Sequence, residues 1–522
     1  MRQRHRCESL DPRTPVVVGV GQAAERLGGP GYRRRSPADL AADAAVAALA
    51  DTGGDSGAIA AAIDTVAGIR QFEVSWPAAT APLGRSDNYP RSVANRIGAA
   101  PGRAILEVVG GQGPQHLVSE LAGIIAGGGA EVVLAFGSEA ISTISHYARV
   151  PDRPDFTEHA DGSLEDRGLG MDGIRSPYLA AHGLVAAPGL YAVLENARRA
   201  RLGLTRAQYA TAMGELFEPF TRVAAANPYS AAPVPRSAAE LVKPTAANRP
   251  IADPYTRYLV SREKVNQGAA VLLMPVMAAL RYGIPADRWV FLHGHADVRE
   301  RDLLDRADLS VSPAAVMAAR HALAMAGIGA GDLATIDLYS CFPVPVFNIR
   351  DGLGIAPGDL RDLTVTGGLP FFGGPGNNYS MHAIAETVHR ARQAPGSYGF
   401  VGANGGYLSK FSAGVYCARP AAWVPDSSGE LQAEIDGWPA PAQVQRADGW
   451  AVIESFTVTH TRDGARTGIV IGRLADGGQR FAACGADGDQ EILDLLAGVD
   501  QPVGERVYVR SADSGNRVAV RP

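Results

Sequence analysis

Three short motifs contain residue types that could do chemistry, and each lacks part of what that chemistry needs. Gly19–Ala24 has the spacing of a dinucleotide-binding loop, but Leu27–Gly31 interrupts the helix that would hold a pyrophosphate. Gly54–Gly57 reads Gly-Asp-Ser-Gly, as around a protease serine, yet it follows an alanine-rich helix and not a barrel strand. His293–Asp297 reads His-Gly-His-Ala-Asp, a metal-like spacing without its last histidine. We predict a strand-end turn at the first place, a polar turn at the second and two hydrogen-bonded histidines at a strand end at the third, and no metal site.

Three glycine-rich segments are more informative. Gly110–Pro114 and Gly373–Asn378 each precede a predicted helix, and Gly402–Gly406 forms a third cluster. Glycine loops at helix N-termini expose backbone amides that can hold anions and carbonyl oxygens. Glycine also permits tight packing of a helix on a sheet, which is the alternative explanation for each loop. The three loops therefore predict either one shared ligand site or close packing.

The elements that must position these loops occur twice along the chain. A buried strand over Val16–Gly21, a helix from Ser36 to about Leu49, and a strand over Ile63–Val66 come first. A helix from Ser312 to about Gly327 and a strand over Ile336–Tyr339 repeat the order. Both helices open with serine followed by proline, which is a helix-start signal. The repetition predicts an internally duplicated α/β fold.

Composition divides the rest of the chain. A polar segment rich in proline and tyrosine separates the two halves, as a lid over a binding site would. In the last part, Ala451–Thr461, Thr467–Cys484 and Arg506–Ser511 have the pattern of strands and Glu491–Leu496 that of a helix, which together predict a small β-barrel. The predicted segments are a flexible N-terminal tail (1–14), a first half (15–151), a lid (152–257), a second half (258–420), a linker (421–448) and a β-rich C-terminal domain (449–522).

Composition also excludes several classes of protein. The 522 residues are 46% hydrophobic and 20% charged, which is a globular profile. The net charge of −5 offers no basic stripe, so we expect no nucleic acid partner. Four cysteines without a Cys-x-x-Cys pair argue against a disulfide scaffold and a cysteine zinc site. Leu117–Ile141 is broken by glycines and predicts a buried helix, a turn and a strand instead of a membrane span, and no secretory signal is recognisable, so we predict a cytoplasmic protein.

The order of motifs up to about Pro420 resembles the thiolase superfamily. Val132–Ser142 resembles the family's strand followed by Gly-Gly-x-Glu-x-Met-Ser, and Ile336–Phe342 resembles the His-Asp-Cys-Phe strand of sterol-carrier-protein-linked thiolases. The resemblance implies an α-β-α-β-α layered fold of two similar halves, to which this chain adds a small OB-like β-barrel. It also implies a coenzyme A thioester as ligand and a homodimer by family default, with a monomer possible. Further pieces that resemble family motifs in the same order are Leu202–Thr205 with Gln208, Ala224–Pro228, Gln267–Ala270, Gly367–Pro375 and Ala403–Gly406.

The residues that do the family's chemistry are replaced in this sequence. The resemblance puts Gly110 at the nucleophilic cysteine and Gly374 at the histidine that activates it. It puts Tyr339 at an oxyanion-hole residue and Ala403 at the second cysteine. An acyl-enzyme needs a nucleophile, so cysteine-dependent thiolysis or condensation is not expected. Cys341 faces the same side as Tyr339 by the two-residue period of a strand, and it resembles a packing cysteine.

The remaining groups leave three functions open. The chain would be classed as an acetyl-CoA acetyltransferase of lipid metabolism that acts on or binds an acyl-CoA; it could instead be a cysteine-independent retro-aldol lyase on a CoA-linked lipid or sterol, or a non-catalytic acyl-CoA-binding scaffold. Tyr339 and His382 are the expected catalytic pair, unless Tyr339 packs as a strand aromatic and His382 caps a helix or faces solvent. We expect no covalently bound cofactor, and coenzyme A enters as part of the substrate. The predicted substrate-binding residues are Gly110, Gly111, Gly113, Gly373, Gly374, Asn377, Asn404, Gly405 and Gly406.

Overall fold

The computed structural model describes residues 10–171, 176–486 and 488–522, so most of the predicted N-terminal tail, with Cys7, lies outside the described residues. In chain order the strands are β1 Pro15–Ala24, β2 Thr65–Gly68, β3 Arg103–Leu106, β4 Val133–Ala140, β5 Glu165–Asp166, β6 Pro250–Ala252, β7 Tyr255–Thr256, β8 Asn266–Pro275, β9 Phe291–Arg299, β10 Leu333–Leu338, β11 Tyr398–Gly405, β12 Lys410–Cys417, β13 Gly449–His460, β14 Arg466–Leu474, β15 Arg480–Cys484, β16 Arg506–Ala512 and β17 Gly515–Ala519. The helices are α1 Pro37–Asp51, α2 Ser56–Ala61, α3 Tyr89–Arg96, α4 Gly113–Ala126, α5 Ile141–Tyr147, α6 Pro177–Ala181, α7 Ala187–Arg201, α8 Arg206–Ala226, α9 Ala238–Val242, α10 Val276–Arg281, α11 Pro313–Met325, α12 Pro343–Gly352, α13 Tyr379–Gln393, α14 Ser428–Asp436 and α15 Gln490–Gly498.

Two mixed sheets repeat one arrangement of strands. In the first sheet β1 runs antiparallel to β8, β8 runs antiparallel to β4, and β4 runs parallel to β2. In the second sheet β9 runs antiparallel to β12, β12 runs antiparallel to β11, and β11 runs parallel to β10. β3 and the short β5 extend the first sheet beyond β2. The repeated order confirms the predicted duplication.

Helices form the outer and central layers around the two sheets. α1 packs on one face of β1 so closely that its backbone leaves no room for a side chain at Gly19 or Gly21. α11 approaches β9 in the same way at Gly294. α4 and α13 lie between the sheets in a core cluster that contains residues of both. The layers are therefore α-β-α-β-α, as predicted.

The three short motifs that open the sequence analysis serve packing, helix capping and backbone hydrogen bonding. The prediction of a strand-end turn at Gly19–Ala24 is wrong, because β1 continues to Ala24 and the glycines serve the packing of α1. Asp55 caps α2 by accepting two backbone amides, which confirms the polar turn. The Nε2 atoms of His293 and His295 lie 2.8 and 3.1 Å from backbone carbonyl oxygens, inside β9 and not at its end. The stretch Leu117–Ile141 forms most of α4, a glycine turn and β4, and no helix within the described residues is long and apolar enough to cross a membrane.

The C-terminal region is a closed barrel. The barrel strands pair in the order β13, β14, β15, β17 and β16, and β16 pairs with β13 to close the ring. α15 packs its apolar residues Ile492, Leu493 and Leu496 into the barrel core. The stretch Thr467–Cys484 forms two strands and not one, and β17 was not predicted because its five residues follow a tight turn and carry little alternation. The small barrel itself was predicted.

The barrel is joined to the lid by strand pairing and by a buried histidine. Strand β6 of the lid pairs with β13 of the barrel. The ring of His182 accepts a hydrogen bond at Nε2 from the amide of Asn516 (2.8 Å), and its Nδ1 lies 2.7 Å from the carbonyl oxygen of Tyr178. Burial lowers the pKa of His182 below its usual value. The neutral ring therefore links the end of α6 to β17.

Candidate functional site

A cavity of about 470 Å³ is bordered by both halves and the lid. Its apolar wall includes Phe72 and Trp76 of the first half and Val185–Pro188 of the lid. Of the residues predicted to form the site, Gly113, Gly373 and His382 are not among those that line it. Those that do line it are Gly110, Gly111, Tyr339, Gly374, Asn377, Asn404, Gly405 and Gly406. The three glycine segments thus meet at one cavity, although the third is the end of β11 and the first residue of the turn after it, and does not lead into a helix.

Two of the lining glycines make room for polar side chains. A Cβ atom at Gly111 would lie closer to the Tyr339 hydroxyl oxygen than van der Waals contact allows, and 2.6 Å from the carbonyl oxygen of Asn404. A Cβ atom at Gly374 would overlap the hydroxyl oxygen of Ser261. Close approach of these groups is therefore the physical reason for glycine at both positions.

The space beside Gly110 is occupied. The Oε1 atom of Gln112 lies where a Cβ at Gly110 or Gly405 would be, and that oxygen is buried without a hydrogen-bond partner. Gly110 also has a φ of +144°, which a residue with a side chain rarely adopts. Glycine at this position therefore leaves room for the side chain of Gln112.

Tyr339 presents a free hydroxyl to the cavity. Tyr339 directly follows β10, and its backbone amide donates to the carbonyl oxygen of Gly402 (2.9 Å). Its ring packs edge-on against that of Tyr379, with the ring centroids 5.5 Å apart. Among the described residues, its hydroxyl has no hydrogen-bond partner. Burial raises the pKa of Tyr339 above its usual value. The hydroxyl therefore stays protonated and can donate a hydrogen bond to a ligand oxygen.

Asn404 and Cys341 form a second polar group on the wall. The Asn404 side-chain amide donates to the hydroxyl of Tyr191 (2.8 Å), and its Nδ2 lies 3.9 Å from the Cys341 sulfur. The Oδ1 atom of Asn404 is buried without a partner. Burial raises the pKa of the Cys341 thiol to about 12, so the thiol stays protonated and is a poor nucleophile. Cys341 lines the cavity without the chemistry of a catalytic cysteine.

Asn377 fixes the geometry of the glycine loops. Its Oδ1 accepts the amide of Gly110 (3.1 Å), and its Nδ2 donates to the carbonyl oxygen of Arg70 (2.7 Å) and to Ser75 Oγ (3.1 Å). Because these bonds join the loop before α4 to the loop before α13, Asn377 holds the two halves in register at the cavity.

The structure does not bring His382 to Tyr339 at the cavity. The Nδ1 atom of His382 lies 2.7 Å from the side-chain oxygen of Gln22, and its ring packs against Phe372. The ring is fully buried, and burial lowers the pKa of His382 to about 3. The expected pairing fails because His382 lies one turn into α13, behind the residue that contacts Tyr339. The neutral imidazole occupies the core and neither caps a helix nor faces solvent.

Sequence reasoning missed the segment that forms the far wall. Ser261 and Glu263 line the cavity, and Arg262 lies between them. The amide of Ser261 donates to the carbonyl oxygen of Cys341 (3.0 Å), and the amide of Gly374 donates to the carbonyl oxygen of Arg262 (2.9 Å). The only signal in the sequence is that this charged segment immediately precedes a buried strand.

Arg262 belongs to a group of arginines without acidic partners, which we call the arginine cluster (Arg236, Arg257 and Arg262). None of the three has an ion pair within the described residues, and the Nε atom of Arg262 is buried without a hydrogen-bond partner. Burial and then repulsion by Arg257 and Arg236 lower the pKa of Arg262. Mutually repelling cations beside a cavity favour an anionic ligand.

Comparisons with known proteins agree with this architecture. Residues 430–514 match the family described as the thiolase-like protein type 1 additional C-terminal domain. A crystal structure of a monomeric SCP2-thiolase-like protein type 1 from Mycobacterium smegmatis is 49% identical, with a TM-score of 0.84, and the match covers 98% of this chain and 100% of that chain. The dimeric peroxisomal thiolase of Saccharomyces cerevisiae is 15% identical, with a TM-score of 0.56 over 79% of this chain and 99% of that chain. A structure described as an Ltp2-ChsH2(DUF35) aldolase is 19% identical, with a TM-score of 0.57 over 78% and 98%. A comparison with curated proteins found no match.

The duplicated five-layer fold is that of the thiolases, as the two distant structures also show. Two findings identify the family more specifically. Nearly half of the residues are identical to those of the Mycobacterium smegmatis protein over almost the whole chain, and the C-terminal domain matches its own family. The chain belongs to the SCP2-thiolase-like proteins of type 1, which confirms the predicted resemblance to a thiolase-like protein with an additional C-terminal domain.

Proposed function

We propose that this protein binds an acyl-CoA thioester in the glycine-lined cavity without forming an acyl-enzyme. The observation that carries the proposal is the hydroxyl of Tyr339, which has no hydrogen-bond partner among the described residues and faces a cavity of about 470 Å³. The volume is that of an ordinary small-molecule site. The hydroxyl would donate to the thioester oxygen, and the apolar residues Phe72, Trp76 and Val185 would contact the acyl chain. The protonated thiol of Cys341 supports binding without acyl transfer.

The arginine cluster supports coenzyme A as the carrier of the acyl group. Coenzyme A is strongly anionic, and arginine forms paired hydrogen bonds with phosphate oxygens. Arg262 lies between two residues that line the cavity, and Arg257 and Arg236 repel its guanidinium group. A phosphate group there would relieve the repulsion among the three guanidinium groups.

Calorimetric titration with a long-chain acyl-CoA tests the proposal. We expect saturable binding for the wild-type protein and, because a charge-assisted hydrogen bond is worth about 1.5–3 kcal/mol, roughly tenfold to hundredfold weaker binding for Arg262→Ala. Arg222→Ala is the control, since Arg222 is an exposed arginine of the lid that lies 3.6 Å from Glu218. The N-acetylcysteamine thioester of the same acyl chain carries no phosphate, so it should bind Arg262→Ala and Arg222→Ala with the same affinity. Absence of acyl-CoA binding to the wild-type protein contradicts the proposal.

A second candidate is a cysteine-independent carbon–carbon lyase of the retro-aldol type. Tyr339 favours it, because a protonated hydroxyl aimed at a thioester oxygen would also stabilise the enolate that such a cleavage forms. One distant structure with the same fold is described as an aldolase. Incubation with 3-hydroxyacyl-CoA thioesters should then yield a shorter acyl-CoA and a carbonyl compound, which mass spectrometry detects. A protein that binds these thioesters but releases neither product is a carrier.

A further inference from the structure

Among the described residues that line the cavity, Glu263 alone carries a carboxylate, and none of the others offers a comparable base. Burial raises the pKa values of Tyr339 and Tyr191, and it raises the pKa of Cys341 to about 12. Among the described residues that line the cavity there is no histidine, and Glu263 is the only acidic side chain. A reaction in this cavity that needs a proton removed near neutral pH therefore has Glu263 as its natural acceptor.

The backbone around Glu263 is held firmly between two parts of the site. Ser261 is tied to Cys341, and Arg262 is tied to Gly374, by the backbone hydrogen bonds described above. A further bond joins the amide of Arg262 to the carbonyl oxygen of Leu369 (3.1 Å). Glu263 is thus presented from a fixed wall, which is the geometry that a catalytic group needs.

The carboxylate itself is free to react. Within the part of the chain that the structure describes, no hydrogen bond or ion pair engages the Glu263 side chain, which lines the cavity. The groups that act on it electrostatically are the neighbouring carboxyl of Glu139 and the ammonium of Lys264. Loss of solvation raises the pKa of Glu263 above its usual value, with Lys264 opposing. A carboxylate in these surroundings is a stronger base than one in water.

We propose that Glu263 is the general base of this cavity and that its substrates are 3-hydroxyacyl-CoA thioesters. The inference rests on the proposed function, in its lyase form. Glu263 takes the proton of the 3-hydroxyl group, the carbon–oxygen double bond forms, and the bond between carbons 2 and 3 breaks. The electron pair of that bond moves into the thioester as an enolate, whose oxygen accepts a hydrogen bond from Tyr339. The protonated Glu263 then returns its proton to carbon 2, which leaves a shorter acyl-CoA and a ketone or aldehyde.

The last step can be tested in reverse without knowledge of the natural substrate. In deuterium oxide, a base that reaches carbon 2 of a bound acyl-CoA exchanges its hydrogens for deuterium, and nuclear magnetic resonance detects the exchange. We expect wild-type protein to exchange carbon 2 of acetyl-CoA and Glu263→Gln to lose about 10²–10⁴-fold in exchange rate. The dissociation constant of acetyl-CoA should change by less than about threefold, because the amide has the same shape. The rate should rise with pH as Glu263 ionises, and the residual rate of the variant should lack that rise.

Glu73→Gln is the matched control. Glu73 is a neighbouring carboxyl whose pKa burial raises to about 7, but it does not line the cavity, so the exchange rate should stay within about twofold. Exchange that survives in Glu263→Gln, or that is lost equally in Glu73→Gln, overturns the proposal. Acetyl-CoA binding by the wild-type protein without exchange overturns it too, and leaves acyl-CoA binding intact. Absence of binding overturns the proposed function itself.

Discussion

Removal of the Tyr339 hydroxyl tests whether that group binds a ligand or stabilises the fold. Tyr339→Phe deletes the hydroxyl that faces the cavity and keeps the ring against Tyr379. Because that hydroxyl has no partner among the described residues, the free energy of unfolding should change by no more than about 0.5 kcal/mol. Tyr379→Phe is the contrasting variant. The hydroxyl of Tyr379 lies 3.0 Å from Asp337 Oδ1 and 2.6 Å from Thr366 Oγ1 in the core, so its removal should cost about 1–3 kcal/mol.

The effect on function depends on what the hydroxyl does. A hydrogen bond to a ground-state thioester oxygen is worth about 0.5–1.5 kcal/mol, so a carrier should bind acyl-CoA about twofold to tenfold more weakly in Tyr339→Phe. A lyase should lose about 10²–10³-fold in kcat, because the same bond strengthens as the enolate forms.

Three measurements complete this test. Thermal unfolding followed by circular dichroism, calorimetric titration with acyl-CoA and the rate of product formation are compared for wild type and both variants. A large loss of stability in Tyr339→Phe would refute the assignment of a free hydroxyl. Unchanged binding together with an unchanged rate would refute the contact between Tyr339 and the thioester.

Three further outcomes follow from named contacts. Gly111→Ala should destabilise the protein by about 1–3 kcal/mol, because its Cβ overlaps the Tyr339 hydroxyl, and a denaturation midpoint equal to that of wild type would contradict the packing. Cys341 should resist iodoacetamide at pH 8, where a thiol with a pKa of about 12 is almost wholly protonated, so rapid labelling found by peptide mass spectrometry would contradict its burial. His182 has a lowered pKa, so its contribution to stability is complete above the unfolded value of about 6.5 and is lost as the pH falls below it. Melting temperatures measured between pH 5 and 8 should therefore fall less steeply on acidification for His182→Gln than for wild type.

Local pattern was sufficient for the fold and for the glycine loops. The serine–proline helix starts and the strand that follows each of them predicted the duplication, because those signals act over a few neighbouring residues. The glycines of the three loops marked a place where backbone and side chains approach closely. Gly111 and Gly374 illustrate it, since each makes room for a side chain from a distant part of the chain.

The predictions that failed concern where a side chain points in the folded protein. α13 begins at Tyr379, whose ring contacts Tyr339, while His382 lies about 4.5 Å farther along the axis and turns toward Gln22. No feature of the sequence fixed that rotation. Glu263 was missed for a related reason: its place in the cavity depends on backbone bonds to Cys341 and Gly374, and neither is near it in sequence.

The most direct test of acyl-CoA binding in the glycine-lined cavity is the crystal structure of the protein with a non-hydrolysable acyl-CoA. We expect the oxygen of the thioester analogue at about 2.7–2.8 Å from the Tyr339 hydroxyl, with phosphate groups against Arg262. A second cavity of about 440 Å³ is lined by other residues, among them Glu107, His116 and Lys410. Acyl-CoA bound in that cavity, or on the surface with the glycine-lined cavity empty, would contradict the account.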